Sequence, residues 1–296
     1  NILEPTPSLL PRGDPKNPAM AQVENAPPSI AIKLVFCGPF GSGKTTNLHQ
    51  IYARLSDRYR SRMLSLDPSD TTDEELLFHT NPVDAAHRPT LFFDLLPIVL
   101  NIAGMRVILR LLAGPGHAMH EHTRRLILRG ADGIVFIADS ERSPDENDQS
   151  LVSVRTSLRD NGLAPDTLPM VIQLNKSDSI SMRTDVVAAK RLLGHRADVH
   201  IVPAMAKSGL GVLETVMRLL TVVWPALLHE HDGLAASSLD LATLLTELGR
   251  RLNAVDLARA LITPQTAAPP GDMPESAASR AAAPVLAPAH QGAALR

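Results

Sequence analysis

The sequence predicts an α/β fold with an open, mostly parallel sheet covered by helices, and two observations support this prediction. Short apolar runs alternate along the chain with segments of helical periodicity. Most of these runs are apolar at consecutive positions rather than at every second one, which is typical of strands buried on both faces. Strands and helices in alternation give parallel strands joined by crossover helices.

The elements follow this order from the first run to the last. The predicted strands are 30–37, 105–112, 133–138, 169–174 and 199–202. Helical patterns lie near 43–55, 118–129, 145–160, 184–193 and 209–228. A further helical pattern spans 238–252, with Ser238 as a candidate N-cap, and 253–262 continues in the same manner. This last pair either docks a partner or packs on its own domain, and the sequence leaves both open.

Composition limits the class of protein. A chain of 296 residues with 44% apolar composition can bury one core of domain size. With 29 Lys+Arg against 31 Asp+Glu there is no broad basic field, so we expect no nucleic-acid partner. No uninterrupted apolar run reaches the length of a membrane span, and no secretory signal is evident. The single cysteine, Cys37, excludes an internal disulfide, and we expect a cytoplasmic protein.

The chain divides into four predicted segments. Residues 1–29 form a Pro-rich leader and 263–296 an Ala/Pro-rich tail, and both are expected to be disordered because they offer little apolar surface to bury. Between them we predict a nucleotide-binding domain over 30–230 and a helical C-terminal extension over 231–262.

A phosphate-binding loop is predicted directly after the first strand. The segment Gly38-Pro-Phe-Gly-Ser-Gly-Lys-Thr45 fits G-x-x-x-x-G-K-[ST], between a strand and a helix as such a loop requires. Its glycines let backbone N–H groups point at the phosphates, Lys44 supplies a charge, and the Thr45 hydroxyl fills one Mg²⁺ position. The predicted nucleotide contacts in this region are Gly38, Gly41, Ser42, Gly43, Lys44, Thr45 and Thr46.

Selection of guanine is predicted from Asn175-Lys-Ser-Asp178, an N-K-x-D pattern at the end of a predicted strand. The Asp178 carboxylate can accept from two guanine donors that adenine does not present together. Lys176 would cover the base with its aliphatic stem, and Asn175 would tie this loop to the phosphate loop. In the segment Ala204-Met-Ala-Lys207, the backbone N–H of Ala206 is predicted to face the guanine oxygen.

Further segments carry a resemblance to a known family. These are Thr90-Leu-Phe-Phe-Asp-Leu-Leu-Pro97, Ala113-Gly-Pro-Gly-His117 and the run from Arg125 to Ser140. Together with Gly38 to Leu48, they resemble the bacterial gliding-motility GTPases of the MglA type, over roughly 30–228. The resemblance implies a P-loop NTPase of the Ras-like three-layer sandwich. It also implies a polarity or motility regulator that cycles between GDP and GTP and meets a roadblock-fold, MglB-type regulator.

The same resemblance assigns roles to the switch residues. Thr90 matches the switch I threonine that closes over Mg²⁺ and the γ-phosphate, and Gly116 the glycine whose N–H touches that phosphate. His117 stands where the family has a water-orienting glutamine. Arg88 is the candidate for the internal arginine, displaced by one residue because Pro89 precedes Thr90. Ala113 occupies the position of an aspartate, so a water-mediated Mg²⁺ contact is expected to be missing.

Three functions remain open at this point. The leading hypothesis is a GTPase switch, slow in isolation because the usual guanidinium is displaced. A GTP-binding scaffold with little hydrolysis is the rival, and Asn175-Lys-Ser-Asp178 disfavours a third reading, an ATP-dependent P-loop kinase. Cys37 is interpreted as a packed small hydrophobe. The acidic segment 67–87 and the histidines at 117, 120 and 122 are interpreted as solvated surface.

Overall fold

The computed structural model describes residues 27–59, 62–66, 93–114, 121–192, 196 and 199–263. The strands within these residues are β1 (Ser29–Cys37), β2 (Leu64–Leu66), β3 (Phe93–Ile102), β4 (Met105–Ala113), β5 (Gly133–Asp139), β6 (Met170–Asn175) and β7 (His200–Pro203). The helices are α1 (Lys44–Arg54), α2 (Glu121–Leu128), α3 (Pro144–Asp160), α4 (Val186–Leu192), α5 (Val212–Glu230), α6 (Asp232–Ala235), α7 (Leu241–Arg251) and α8 (Val255–Ile262), with a 3₁₀ turn at Asp57–Tyr59.

The seven strands form one sheet in the order β2-β3-β4-β1-β5-β6-β7. Strand β1 pairs in parallel with β4 and β5, and the parallel pairing continues through β6 to β7. Strand β3 runs antiparallel to both of its neighbours. The predicted α/β fold with a mostly parallel sheet is therefore confirmed, and each predicted strand and helix is present with its bounds shifted by a few residues.

The sequence analysis did not predict β2 and β3. Strand β3 contains Asp94 and Pro97, two residues that are uncommon in a buried strand. Strand β2 pairs with β3 only over Phe93–Leu95, so Pro97 lies beyond that short partner and is paired with Arg110 on the β4 side alone. Proline is tolerated at such a position because no ladder bond is required on the open edge.

Two apolar clusters cover the two faces of the sheet. Alternate residues of β1 supply one cluster, in which Ile32, Leu34 and Phe36 pack with residues of α1 and α5. Val35 and Cys37 face the other way and pack with residues of α2 and α3. This arrangement explains why the parallel strands read as continuous apolar runs, since both of their faces are buried.

Helix α5 is the central helix of the first cluster. By length and composition it is the one described helix that could cross a membrane, although 56% of its most apolar window is buried inside the protein. Its buried side chains include Leu219, Leu220 and Val223, and the helix packs on β5 and β6. Burial against the sheet accounts for its apolar composition.

Helices α7 and α8 pack on their own domain, one of the two alternatives that the sequence leaves open. Leu244, Leu245 and Leu248 of α7 are fully buried in the cluster that contains Ile98 and Leu100 of β3. The N-cap of α7 is Asp240, whose carboxylate accepts from the Thr243 N–H at 2.7 Å, so the prediction of Ser238 as the cap was wrong. A carboxylate at this position also interacts favourably with the partial positive charge at the N-terminus of the helix.

Leu248→Ala tests this packing. The substitution should lower the free energy of unfolding by about 2–5 kcal/mol, because it leaves a cavity between α7 and the sheet. Leu210→Ala is the matched control, since Leu210 is 58% exposed and its loss should cost less than about 0.5 kcal/mol. Urea unfolding followed by circular dichroism measures both. Equal stability of the two variants would contradict the packing of α7 on β3.

Candidate nucleotide-binding site

The predicted motifs meet at the carboxyl ends of the parallel strands. The chain leaves β1 between β4 on one side and β5 on the other, which is the position where ligands bind in open α/β sheets. A cavity of about 440 Å³ lies here. It is lined by residues from the phosphate loop, from the end of β5 and from the loops after β6 and β7: Gly41, Gly43, Thr46, Glu141, Asn175, Lys176, Asp178, Ser179, Met205, Ala206 and Lys207.

The phosphate loop needs glycine at two positions for different steric reasons. Gly38 has φ of +144°, and a β-carbon there would collide with the Ile137 carbonyl of β5. Gly43 has φ of +97°, and a β-carbon there would collide with the Asn175 side-chain amide. The loop can therefore approach β5 and the β6 loop this closely only because these residues carry no side chain.

Lys44 is buried at the first turn of α1. Its ammonium group donates to the carbonyls of Gly38 at 3.1 Å and Pro39 at 2.7 Å. Burial lowers the pKa of Lys44 to about 8, because the two carbonyls do not replace the water that a charged ammonium group loses. The loop thus holds a desolvated cation that an anionic ligand would stabilise.

Asn175 joins three loops through one side chain. Its amide nitrogen donates to the Ser42 carbonyl at 2.7 Å, which is the tie to the phosphate loop that the sequence predicts. Its amide oxygen accepts from the Ala206 N–H at 2.8 Å. The buried Asn175 oxygen takes this donor in the structure, and the role of that N–H toward a guanine oxygen stays a prediction.

Thr45 and Asp94 bring two oxygen groups together beside the phosphate loop. The Thr45 hydroxyl donates to the Asp94 carboxylate at 2.7 Å, and Asp94 is paired across the sheet with Ala113. A carboxylate from the neighbouring strand thus lies beside Thr45, whereas the expected loss of a water-mediated Mg²⁺ contact at the Ala113 position stays a prediction. Asp94 lies inside the segment 90–97 that carries the family resemblance, but its place beside Thr45 depends on the antiparallel pairing of β3.

The base side of the cavity is held by a charged network. The Lys176 ammonium donates to Asp139 at 2.7 Å and to Glu141 at 2.9 Å, and Glu141 also accepts from the Ser179 hydroxyl at 2.9 Å. Hydrogen bonds from Lys176 and Ser179 lower the pKa of Glu141. Asp178 lines the same cavity. Sequence reasoning missed Glu141 and Ser179, which belong to neither motif as it is usually written.

Some predicted site residues cannot be placed. Arg88, Thr90, Gly116 and His117 lie outside the described residues, as does the acidic segment 67–87, so the roles given to them stay predictions. Within the described ranges no group of three His, Cys, Asp or Glu residues could hold a metal ion. Cys37 is buried, and burial raises the pKa of its thiol to about 12, which agrees with a packing role.

Comparison with known proteins supports what this geometry indicates. No protein-family model matches the chain. The mutual gliding-motility protein MglA of Myxococcus xanthus is 35% identical over 196 residues, which cover 66% of this chain and 91% of the relative. The alignment extends over nearly the whole length of the relative, so the predicted resemblance is confirmed. The chain belongs to the family of MglA-like small GTPases.

Proposed function

We propose that this protein is a GTP-binding molecular switch that hydrolyses GTP to GDP. The observation that carries the proposal is that one cavity is lined both by the phosphate loop, through Gly41 and Gly43, and by the base loop, through Asp178. The Asn175 side chain joins these two loops through its bond to the Ser42 carbonyl. A ligand with a polyphosphate at one end and a base at the other fits this arrangement, and family membership points to guanine nucleotides.

Phosphate binding is assigned to backbone and charge together. The glycine-rich loop and the first turn of α1 supply N–H groups and the partial positive charge of the helix end. In the bound state, phosphate oxygens would accept from the Lys44 ammonium, either in place of the Gly38 and Pro39 carbonyls or together with them. Because its charged form is poorly solvated in the protein, the interaction with phosphate gains more than an exposed lysine would provide.

Mg²⁺ fits the Thr45 and Asp94 pair. Both groups are hard oxygen donors, and Mg²⁺ is usually held by one or two protein oxygens together with phosphates rather than by an all-protein cage. Thr45 would contact the ion directly and Asp94 would accept from Thr45 or from a bound water. Such an ion would neutralise charge on the transferring phosphoryl group. Thr90 is proposed as the second protein ligand, on the family resemblance alone.

Hydrolysis would depend on His117 to orient the attacking water and on Arg88 to stabilise charge. The proposed regulator is a roadblock-fold protein of the MglB type, acting in the cytoplasm on polarity or motility. This part rests on the family relationship. A GTP-binding scaffold is the second candidate, favoured by Ala113 at the aspartate position.

Single-turnover hydrolysis separates the switch from the scaffold. The full chain is loaded with GTP and Mg²⁺, and phosphate release is followed with and without a roadblock protein. Slow release by the chain alone, faster release with the regulator, and loss of both in His117→Ala are expected of the switch. Tight GTP binding without hydrolysis under either condition would establish the scaffold instead.

Asp178→Asn should shift the base preference of the site from guanine toward xanthine. An amide can donate where the carboxylate only accepts, so GDP affinity should fall at least tenfold and affinity for XDP should rise, because xanthine presents an acceptor in place of a guanine donor. Calorimetric titration with GDP, XDP and ADP measures the preference of both forms. Unchanged discrimination, or ADP binding as tight as GDP binding in the unsubstituted protein, would refute the base assignment.

GDP binding should take up a proton above about pH 8. In the empty site the pKa of Lys44 is lowered to about 8, and phosphate favours the charged form, so affinity should fall as pH rises from 8 toward 10. Calorimetry at pH 9 in two buffers of different ionisation enthalpy gives the uptake. Lys33 is the control, since burial also lowers its pKa to about 8 but it contacts Arg129 and Asp132. Lys33→Met should keep the uptake, whereas uptake that persists in Lys44→Met would exclude Lys44 as its source.

Asp94→Asn should lower the affinity of the nucleotide site for Mg²⁺, so that a higher Mg²⁺ concentration is needed to slow nucleotide release. The substitution removes the negative charge beside Thr45 but keeps its size, and loss of such a supporting group typically lowers metal affinity about 10–100-fold. Release of a fluorescent GDP analogue is measured across a Mg²⁺ titration. Asp256→Asn is the control, because the Asp256 side chain on α8 is exposed. An unchanged Mg²⁺ midpoint in Asp94→Asn would rule out a role for this carboxylate at the metal.

A further inference from the structure

The segment 139–143, which is the last residue of β5 and the loop that leads to α3, contacts both halves of the proposed nucleotide site. The Ser140 hydroxyl donates to the carbonyls of Asn175 at 2.7 Å and Lys176 at 2.6 Å, at the start of the base loop. Asp139, which is almost fully buried, accepts from the Lys176 ammonium. It also exchanges two backbone bonds with the Asn147 side chain, both 2.9 Å long. This loop is therefore fixed to α3 and to the base loop at the same time.

Arg142 extends this connection to the phosphate loop. One terminal guanidinium nitrogen donates to the Phe40 carbonyl at 3.0 Å, and the other donates to the Glu146 carboxylate at 3.2 Å. Its Nε lies 3.7 Å from the Asp139 carboxylate. The planar guanidinium group can contact Phe40, Glu146 and Asp139 in one fixed arrangement. A lysine ammonium group lacks this geometry. The Phe40 carbonyl is thus held by a side chain that is itself anchored twice.

The bond to Phe40 fixes the direction of the next N–H group. In a trans peptide the carbonyl and the N–H point in opposite directions, so a Phe40 carbonyl turned toward Arg142 turns the Gly41 N–H away from it. Gly41 lines the cavity, with φ of +75°. The Ser42 N–H donates to the Pro39 carbonyl at 3.3 Å, so the Phe40–Gly41 peptide is the central peptide of a turn within the loop. The turn and the Arg142 side chain, which contacts the Phe40 carbonyl from outside the loop, together set the orientation of this donor.

We propose that Arg142 is a positioning residue for phosphate binding, which holds the Phe40–Gly41 peptide so that the Gly41 N–H faces the phosphates beyond the first. The inference rests on the proposed function, because it assigns a residue to the same nucleotide site. The part of the guanine nucleotide that this N–H group would contact is the phosphate chain beyond the first phosphate. Arg142 contacts the loop and does not need to touch the nucleotide itself.

The distinguishing experiment compares GDP with GMP, which keeps the base, the ribose and the first phosphate. Arg142→Ala should raise the dissociation constant of GDP about tenfold and that of GMP less than about twofold, since a charge-assisted contact supports only the later phosphate. Arg183→Ala is the matched control. Arg183 also pairs with Glu146, at 3.7 Å, is 62% exposed in its side chain, and has no described contact with the phosphate loop. It should leave both constants unchanged.

A second variant keeps the test valid if Arg142→Ala unfolds. Arg142→Lys retains a positive charge beside Asp139 and Glu146, so it should keep the melting temperature and still lose about threefold in GDP affinity. Equal weakening of GDP and GMP would mean that Arg142 only supports the fold, and it would overturn the inference. The same follows if Arg142→Ala matches Arg183→Ala. If the unsubstituted chain binds no guanine nucleotide, the proposed function fails, and the inference fails with it.

Discussion

The side-chain amide of Asn175 is the interaction on which the rest of the site depends. It is buried, and it satisfies the Ser42 carbonyl of the phosphate loop and the Ala206 N–H of the loop after β7 with its two ends. Without it, two buried backbone groups would lose their partners, at about 1–3 kcal/mol each. The close approach also explains Gly43, because a β-carbon there would collide with this amide. Ser42 and Asn175, 133 residues apart in the chain, therefore belong to one structural unit.

A second constraint comes from β3, the strand that runs against the others. Its pairing with β4 places Asp94 opposite Ala113, so the carboxylate reaches Thr45 from the neighbouring strand. Helix α7 covers β3 with buried leucines, and Arg251 donates to the Val99 carbonyl at 2.6 Å while its guanidinium lies 4.0 Å from the centre of the Tyr59 ring. The C-terminal helices are thus part of the layer that supports the strand bearing Asp94. Residues on both sides of the predicted boundary at 230 belong to one apolar cluster, and the boundary itself stays a prediction.

The parallel part of the fold could be predicted because its signals are local. Strands buried on both faces read as apolar runs, and the phosphate and base motifs each lie where one such run ends. The sequence did not reveal Asp94 beside Thr45, because that contact requires an antiparallel strand whose Asp94 and Pro97 are uncommon in buried strands. Asp240 as the cap of α7 was missed for a similar reason. Several capping residues stand close together before this helix, and tertiary packing decides where it begins.

The charges of the site indicate why nucleotide and protein stability should be linked. Lys44 is held by carbonyl oxygens, and its pKa lies below its ordinary value, so the folded protein binds fewer protons there than the unfolded chain does between about pH 8 and 10.5. Stability contributed by this group therefore rises with pH through that interval in the absence of a ligand. A bound polyphosphate reverses the balance, because it stabilises the charged ammonium in the folded state alone. By mass action, a ligand that binds only the folded state raises its stability as ligand concentration exceeds the dissociation constant. The buried Lys44 ammonium thus links the stability of the folded protein to occupancy of the site by a polyphosphate ligand.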